Sequence, residues 1–159
     1  MSFQFTNTSK ICVNKKTLYG VYSPNNGTTT LTNSIINITG GNNSYGVYTN
    51  AGTVTLESGS LIVNGSTNAY GVYINEGTFN QGIKEGTVVV DNPTITAIGT
   101  TGIGVKKING YFMYYDGKIT GSTNAKPETT TEVEYPYEAT LYTDATTGYE
   151  YYVLEYLEG

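Results

Sequence analysis

Carboxylates and tyrosines are the residues of this chain whose types and spacing could do chemistry. Over positions 1–123 the acids are Glu57, Glu76, Glu85, Asp91 and Asp116. A glycosidase works with two carboxyl groups about 5–10 Å apart. Glu57 and Asp116 stand at the fifth and sixth positions after Gly52 and Gly110, so they hold neighbouring places in two similar segments. If those segments stack with one layer between them, about 4.8 Å per layer brings the pair within that range. Yet the chain has no His and no Arg, which leaves little to shuttle a proton or hold a uronate. No catalytic residue is expected. A metal site is not expected either. There is no His, Cys12 is the single cysteine, and the acids are not spaced as a calcium loop. No glycine-rich phosphate loop with a following Lys is present, and no cofactor is expected.

The tyrosines are more regular. Tyr-Gly-Val-Tyr occurs at 19–22, 45–48 and 70–73, in steps of 26 and 25 residues, with a degenerate copy at 102–105. Tyr19, Tyr45 and Tyr70 should stack in one column, and Tyr22, Tyr48 and Tyr73 in another. The second column lies opposite Val21, Val47 and Val72 in the strand alternation and is expected to face outward. Two uses fit it. An outward aromatic ladder can hold the flat faces of sugars or meet a protein, which makes Tyr22, Tyr48 and Tyr73 the candidate binding residues. It can equally be cross-strand stacking that stabilises a sheet. Thr columns raise the further idea of ice binding: Thr28 and Thr30 precede Thr53 and Thr55 by one period, and Thr87 continues one column. Val89, Tyr111 and Met113 break that array.

The elements that would position these side chains follow from the same period. Gly27, Gly52, Gly86 and Gly110 each open a short strand-forming run, and Ser34, Gly59, Pro93 and Gly117 stand seven positions later. The long step from Gly52 to Gly86 predicts an inserted loop at 77–85. Each unit then holds three short strands: Tyr-Gly-Val-Tyr, Thr-Val-Thr-Leu and Ser-Leu-Ile-Val. Alternation places Val54 and Leu56 inward, with Thr29 and Leu31, Val88 and Val90, and Phe112 and Tyr114 as their equivalents. In the next strand Leu61 and Val63 match Ile36 and Ile38, Ile95 and Ala97, and Ile119 and Gly121, while the Ile62 column is outward. Leucine-rich repeats have a similar period but demand Leu at fixed places, and those are missing. The predicted fold is all-β: a right-handed parallel β-helix with three strands per coil of about 25 residues and about four coils. Asn and Gly clusters such as 25–27, 40–43 and 64–65 supply the corners, where positive φ is needed.

The ends differ from the middle. Phe3, Phe5, Ile11 and Val13 have strand-like spacing and suggest an incomplete first coil, with an open edge prone to pairing and a natural protein that continues upstream. After position 123 the repeat stops. Segments 135–142 and 149–156 flank a turn and predict a two-stranded, Tyr- and Glu-rich ribbon that caps the last coil; an acidic interaction tail is the other reading. The expected organisation is a β-helix over 1–123 and an acidic ribbon over 124–159. Charge follows this division. Residues 1–123 hold seven Lys and five acids, net +2, and residues 124–159 hold one Lys and eight acids, net −7, within a total of −5. Nucleic acid binding is not expected, because no basic patch exists to meet phosphates. No apolar run is long enough to span a bilayer, and the first residues lack the charged and apolar regions of a signal peptide.

The Tyr-Gly-Val-Tyr, Gly-Thr-Val-Thr-Leu and Ser-Gly-Ser-Leu-Ile-Val units resemble the pectin-lyase-like β-helix repeats of large Gram-positive (Firmicutes) cell-surface proteins. The segment 110–121 followed by a Tyr- and Glu-rich ribbon is similar to the way such regions end. The resemblance covers roughly residues 17–159. It implies a non-enzymatic structural or adhesive module, displayed at the cell surface as part of a longer exported protein. Its implied partners are glycans or surface proteins of host or neighbouring cells. The catalytic residues of true lyases have no matching positions. Two alternatives accompany this expectation: a carbohydrate-binding or degenerate lyase-like β-helix, and a fibre subunit that self-associates through its N-terminal edge.

Overall fold

The computed structural model describes residues 3–4, 8–12, 16–128, 133 and 135–157. The predicted strand positions Phe5 and Val13 lie outside them. The described residues are all-β with no helix, so none is long and apolar enough to cross a membrane. The described residues form fourteen strands. A five-stranded parallel sheet is built from β1 (Phe3–Gln4), β4 (Thr28–Thr32), β7 (Thr53–Leu56), β9 (Thr78–Gln81) and β11 (Tyr111–Tyr114), in that order. A nine-stranded sheet contains β2 (Thr8–Cys12), β5 (Ser34–Thr39), β8 (Gly59–Ile74), β10 (Thr94–Lys107) and β12 (Lys118–Gly121), all parallel. It also holds β3 (Thr17–Ser23) and β6 (Asn43–Thr49), which join β8, and the antiparallel pair β13 (Tyr137–Thr143) and β14 (Glu150–Tyr156). Cys12 closes β2, opposite Thr39.

The registers put like residues together. Ile36, Leu61, Ile95 and Ile119 align, as do Ile38, Val63, Ala97 and Gly121, and the column of Asn37, Ile62, Thr96 and Thr120 lies between them. In the first sheet Thr29, Val54, Phe79 and Phe112 form one column and Leu31, Leu56, Gln81 and Tyr114 the next. The aliphatic members of these columns are buried and meet in one core. Phe79 and Phe112 stack at 5.9 Å with their planes 4° apart. No single strand could bury such a face alone; the stability comes from the contacts between successive units.

One sequence expectation is corrected. The run opened by Gly86 is not the strand that continues this sheet, and Val88 and Val90 are not its inward pair. Thr78–Gln81 fills that place, opened by Gly77, with Phe79 and Gln81 inward. The inserted segment therefore follows the strand, over 82–93, rather than preceding it. Val88 and Val90 pack only partly against the core. The physical reason is that Phe79 buries more apolar area than a Val in the same slot, and Gly77 repeats the positive φ of Gly52 and Gly110. A β-carbon on Gly77 would lie 2.5 Å from the carbonyl oxygen of Gly52. Gln81 is the cost of this register: it is buried where Leu31 and Leu56 stand in earlier strands. Its amide donates to the carbonyls of Pro93 and Lys118, and its Oε1 has no partner among the described residues.

The 82–93 segment is tied down by Asp116. This buried carboxylate accepts from the backbone N–H groups of Val89 (2.7 Å), Val90 (2.8 Å) and Gly117 (2.7 Å). Those bonds hold Val90 at φ 76°, a region costly for a β-branched residue. At the other end, β14 pairs antiparallel with β12 (Thr120 opposite Tyr151) and with β13. Leu154 is buried, and the ring of Tyr152 sits edge-on to Tyr114 at 5.5 Å. The acidic stretch is thus bonded to the body of the protein through a backbone ladder. Its turn is closed by the Asp144 carboxylate, which accepts from the N–H groups of Thr146 and Thr147.

Candidate functional site

The three Tyr-Gly-Val-Tyr copies lie side by side in β3, β6 and β8. Tyr19 pairs with Tyr45 and Tyr45 with Tyr70; Tyr22 pairs with Tyr48 and Tyr48 with Tyr73. In an ideal strand residues three apart point to opposite faces. Here both tyrosines of each copy reach the same surface, because the glycine and the valine between them are both turned inward. Gly20, Gly46 and Gly71 face inward and are packed too closely for any side chain. A β-carbon on Gly46 would stand 2.5 Å from the Gly71 carbonyl oxygen, and one on Gly71 2.3 Å from Ile95 Cγ2. Glycine and the following valine therefore both turn to the core, and the two tyrosines are left outside.

The result is a lattice of six rings. Within the first column the rings stack at 5.2 Å, with planes 13° and 10° apart. In the second, Tyr48 and Tyr73 stack at 5.1 Å and 6°, while Tyr22 is tilted by 34°. Between the columns the contacts are edge-on: Tyr45 meets Tyr48 at 87° and Tyr73 at 82°, each at 5.2 Å. Offset stacks combined with edge-to-face contacts are the arrangements that the ring quadrupole favours. Burial among like rings pushes the Tyr45 hydroxyl up to about 12, first by desolvation and then by repulsion from Tyr19, Tyr70, Tyr73 and Tyr48. Tyr48 is raised for the same first reason.

This geometry bears on what the ladder can do. Parallel rings only 5.1–5.2 Å apart cover one another's faces. A sugar that stacks on an aromatic needs a free face, and the interior rings offer edges and hydroxyls. Of the three residues singled out from the sequence, Tyr22 has the more open ring, half exposed at the end of its column. On the opposite side the array stops at Ile103 and Lys106, which take the tyrosine places in β10. Comparison with known proteins adds no ligand. No protein-family model matches the chain, and neither a curated protein nor a solved structure does.

The carboxylates are engaged elsewhere. Asp116 is turned to backbone N–H groups, and Glu57 accepts from the Thr32 hydroxyl at 2.7 Å. Each thus has its own partners. Among the described residues no three His, Cys, Asp or Glu side chains cluster as a metal site would need. The threonine columns are also revised by the new register: Thr78 and Asn80, not Thr87 and Val89, follow Thr53 and Thr55. Amide ladders join successive copies, with Asn68 donating to Asn43 (2.9 Å) and Asn75 to Asn50 (2.7 Å).

Proposed function

We propose that the chain is a non-enzymatic structural and adhesive module: a right-handed parallel β-helix that forms a rigid rod, capped by its acidic C-terminal ribbon and displayed at a bacterial cell surface. The observation that carries this reading is the in-register parallel pairing of residues about one period apart in both sheets, from Thr28–Thr53–Thr78 in one to Tyr19–Tyr45–Tyr70 in the other. A chain that visits the same sheets in the same order once per period has to wind. Parallel crossovers are right-handed in nearly all cases, and that supports the hand. The side chains that could serve chemistry are spent on neighbours: the rings on rings, the amides on amides, Asp116 on backbone. That favours a scaffold over a catalyst. The cell-surface setting rests on the resemblance of the repeat units to those of Gram-positive surface proteins.

The test combines sedimentation with polysaccharide turnover on the purified chain. A capped module stays monomeric and releases no product from pectate or neutral polysaccharides. Concentration-dependent growth into filaments would favour a fibre subunit instead. Product release abolished by Glu57→Gln with Asp116→Asn would replace the reading with an enzyme.

A further inference from the structure

A second surface carries an exposed aromatic ring beside polar groups, where the interior rings of the tyrosine lattice cover one another. An open groove runs along the corner that precedes the five-stranded sheet, lined by Asn26, Asn50, Glu76, Asn109 and Tyr111 over a floor of stacked glycines. Gly52, Gly77 and Gly110 adopt φ of 78°, 89° and 78° and lie one above another. Any side chain on Gly77 or Gly110 would run into the carbonyl oxygen of the glycine before it, at 2.5 and 2.2 Å. The floor is therefore bare backbone, and the walls supply the side chains. Tyr111 follows Thr78 in its column, is 58% exposed and has no ring neighbour among the described residues. Polar groups stand beside it. Asn109 donates to Glu76 Oε1 at 3.2 Å, which leaves the other Glu76 oxygen open. Asn50 accepts from Asn75 through its oxygen, which leaves its amide N–H groups to donate.

We propose that this groove binds a neutral oligosaccharide, with Tyr111 stacking on the apolar face of one pyranose ring, Asn109 and Glu76 bonding to its hydroxyls, and Asn50, two layers further along the groove, bonding to those of a neighbouring sugar unit. An aromatic ring with an open face, flanked by fixed amide and carboxylate groups, matches the amphipathic character of a sugar. The sign of charge narrows the class. Glu76 is the single charged side chain in the lining, so polyuronates and sulfated glycans are disfavoured. The groove follows the stacking direction, so a linear chain can lie along it, against more than one layer of the sheet.

The inference stands apart from the rod reading, because an inert rod passes the sedimentation and turnover tests and fails this one. The experiment titrates the full chain with neutral oligomers of glucose, mannose and N-acetylglucosamine, and with oligogalacturonate as the anionic control, by calorimetry and saturation-transfer NMR. Saturable binding of a neutral oligomer is expected. It should weaken about tenfold or more in Tyr111→Ala, as when an aromatic anchor is truncated. It should be retained in Tyr111→Phe and in Tyr22→Ala. Tyr111→Ala should keep the far-ultraviolet circular dichroism of the parent, since the ring is exposed. Three results would overturn the proposal: no neutral oligomer binding, binding indifferent to Tyr111→Ala, or a preference for oligogalacturonate.

Discussion

Replacing Tyr45 by Ala tests the ring lattice where it is densest. Tyr45 touches four rings: Tyr19 and Tyr70 face to face and Tyr48 and Tyr73 edge-on, all at 5.2 Å. Each aromatic pair of this kind is worth about 0.5–1.5 kcal/mol beyond area burial. The pairs share one ring and are not additive, so the expected cost of Tyr45→Ala is about 2–4 kcal/mol. Tyr22 is the internal control. Among the described residues its ring meets only Tyr19 and Tyr48, at 5.3 and 5.4 Å, and it is half exposed. Its truncation should cost about 1 kcal/mol. Urea unfolding monitored by circular dichroism gives both numbers, provided that the slope m is unchanged. A double-mutant cycle of Tyr45 with Tyr70 should show a coupling of about 0.5–1.5 kcal/mol. Equal costs for Tyr45→Ala and Tyr22→Ala, or a coupling near zero, would refute the claim that the rings stabilise the sheet through one another.

Four further predictions follow from the same contacts. Phe79→Ala should destabilise by about 3–5 kcal/mol and Val88→Ala by less than about 1.5, the reverse of what strand formation by 86–90 would give; unfolding midpoints decide between the registers. Gly46→Ala should cost about 2 kcal/mol or more, since the new methyl meets the backbone of the neighbouring strand at 2.5 Å and neither paired strand can yield cheaply. Asp116→Ala strands three backbone N–H groups. It should lower stability by about 2–4 kcal/mol and speed hydrogen exchange over 82–93 before the rest of the sheet. Because the folded pKa of Tyr45 is raised from 10.0 to about 12, its contribution is full below pH 10 and is lost as pH rises toward 12. Spectrophotometric tyrosinate titration should show a late-ionising component in the parent that disappears in Tyr45→Phe.

Much of this architecture is legible in the residues. The three Tyr-Gly-Val-Tyr copies give the period directly. The columns through Leu61 and Val63 follow from alternation and agree with the pairing found. The ribbon predicted at 135–142 and 149–156 forms over 137–143 and 150–156. The third unit is where sequence and structure part. Gly86-Thr-Val-Val-Val looks more like a strand than Gly77-Thr-Phe-Asn-Gln does, because β propensity rewards Val and not Asn or Gln. Tertiary context overrode propensity: Phe79 fills the column between Val54 and Phe112, and Asp116 captures the valine run as a loop. A better signal was the spacing itself, since Gly77 follows Gly52 by the regular 25 residues. The edge-on meeting of the two tyrosine columns was hidden because strict alternation separates residues three apart, and only the packed glycine between them breaks it. In sequence Tyr111 only breaks a threonine array, since nothing in one sequence tells which ring lacks neighbours.

The central claim is that successive copies lie in parallel register, one period apart, as a winding chain requires. Nuclear Overhauser spectroscopy on tyrosine-labelled protein tests it most directly. Ring contacts are expected from Tyr19 to Tyr45 and from Tyr45 to Tyr70, with edge contacts from Tyr45 to Tyr48 and Tyr73, and none from Tyr19 to Tyr70. A direct Tyr19–Tyr70 contact, or the absence of contacts between copies while Tyr48 still meets Tyr45 within its own, would contradict the stacked arrangement and the scaffold reading built on it.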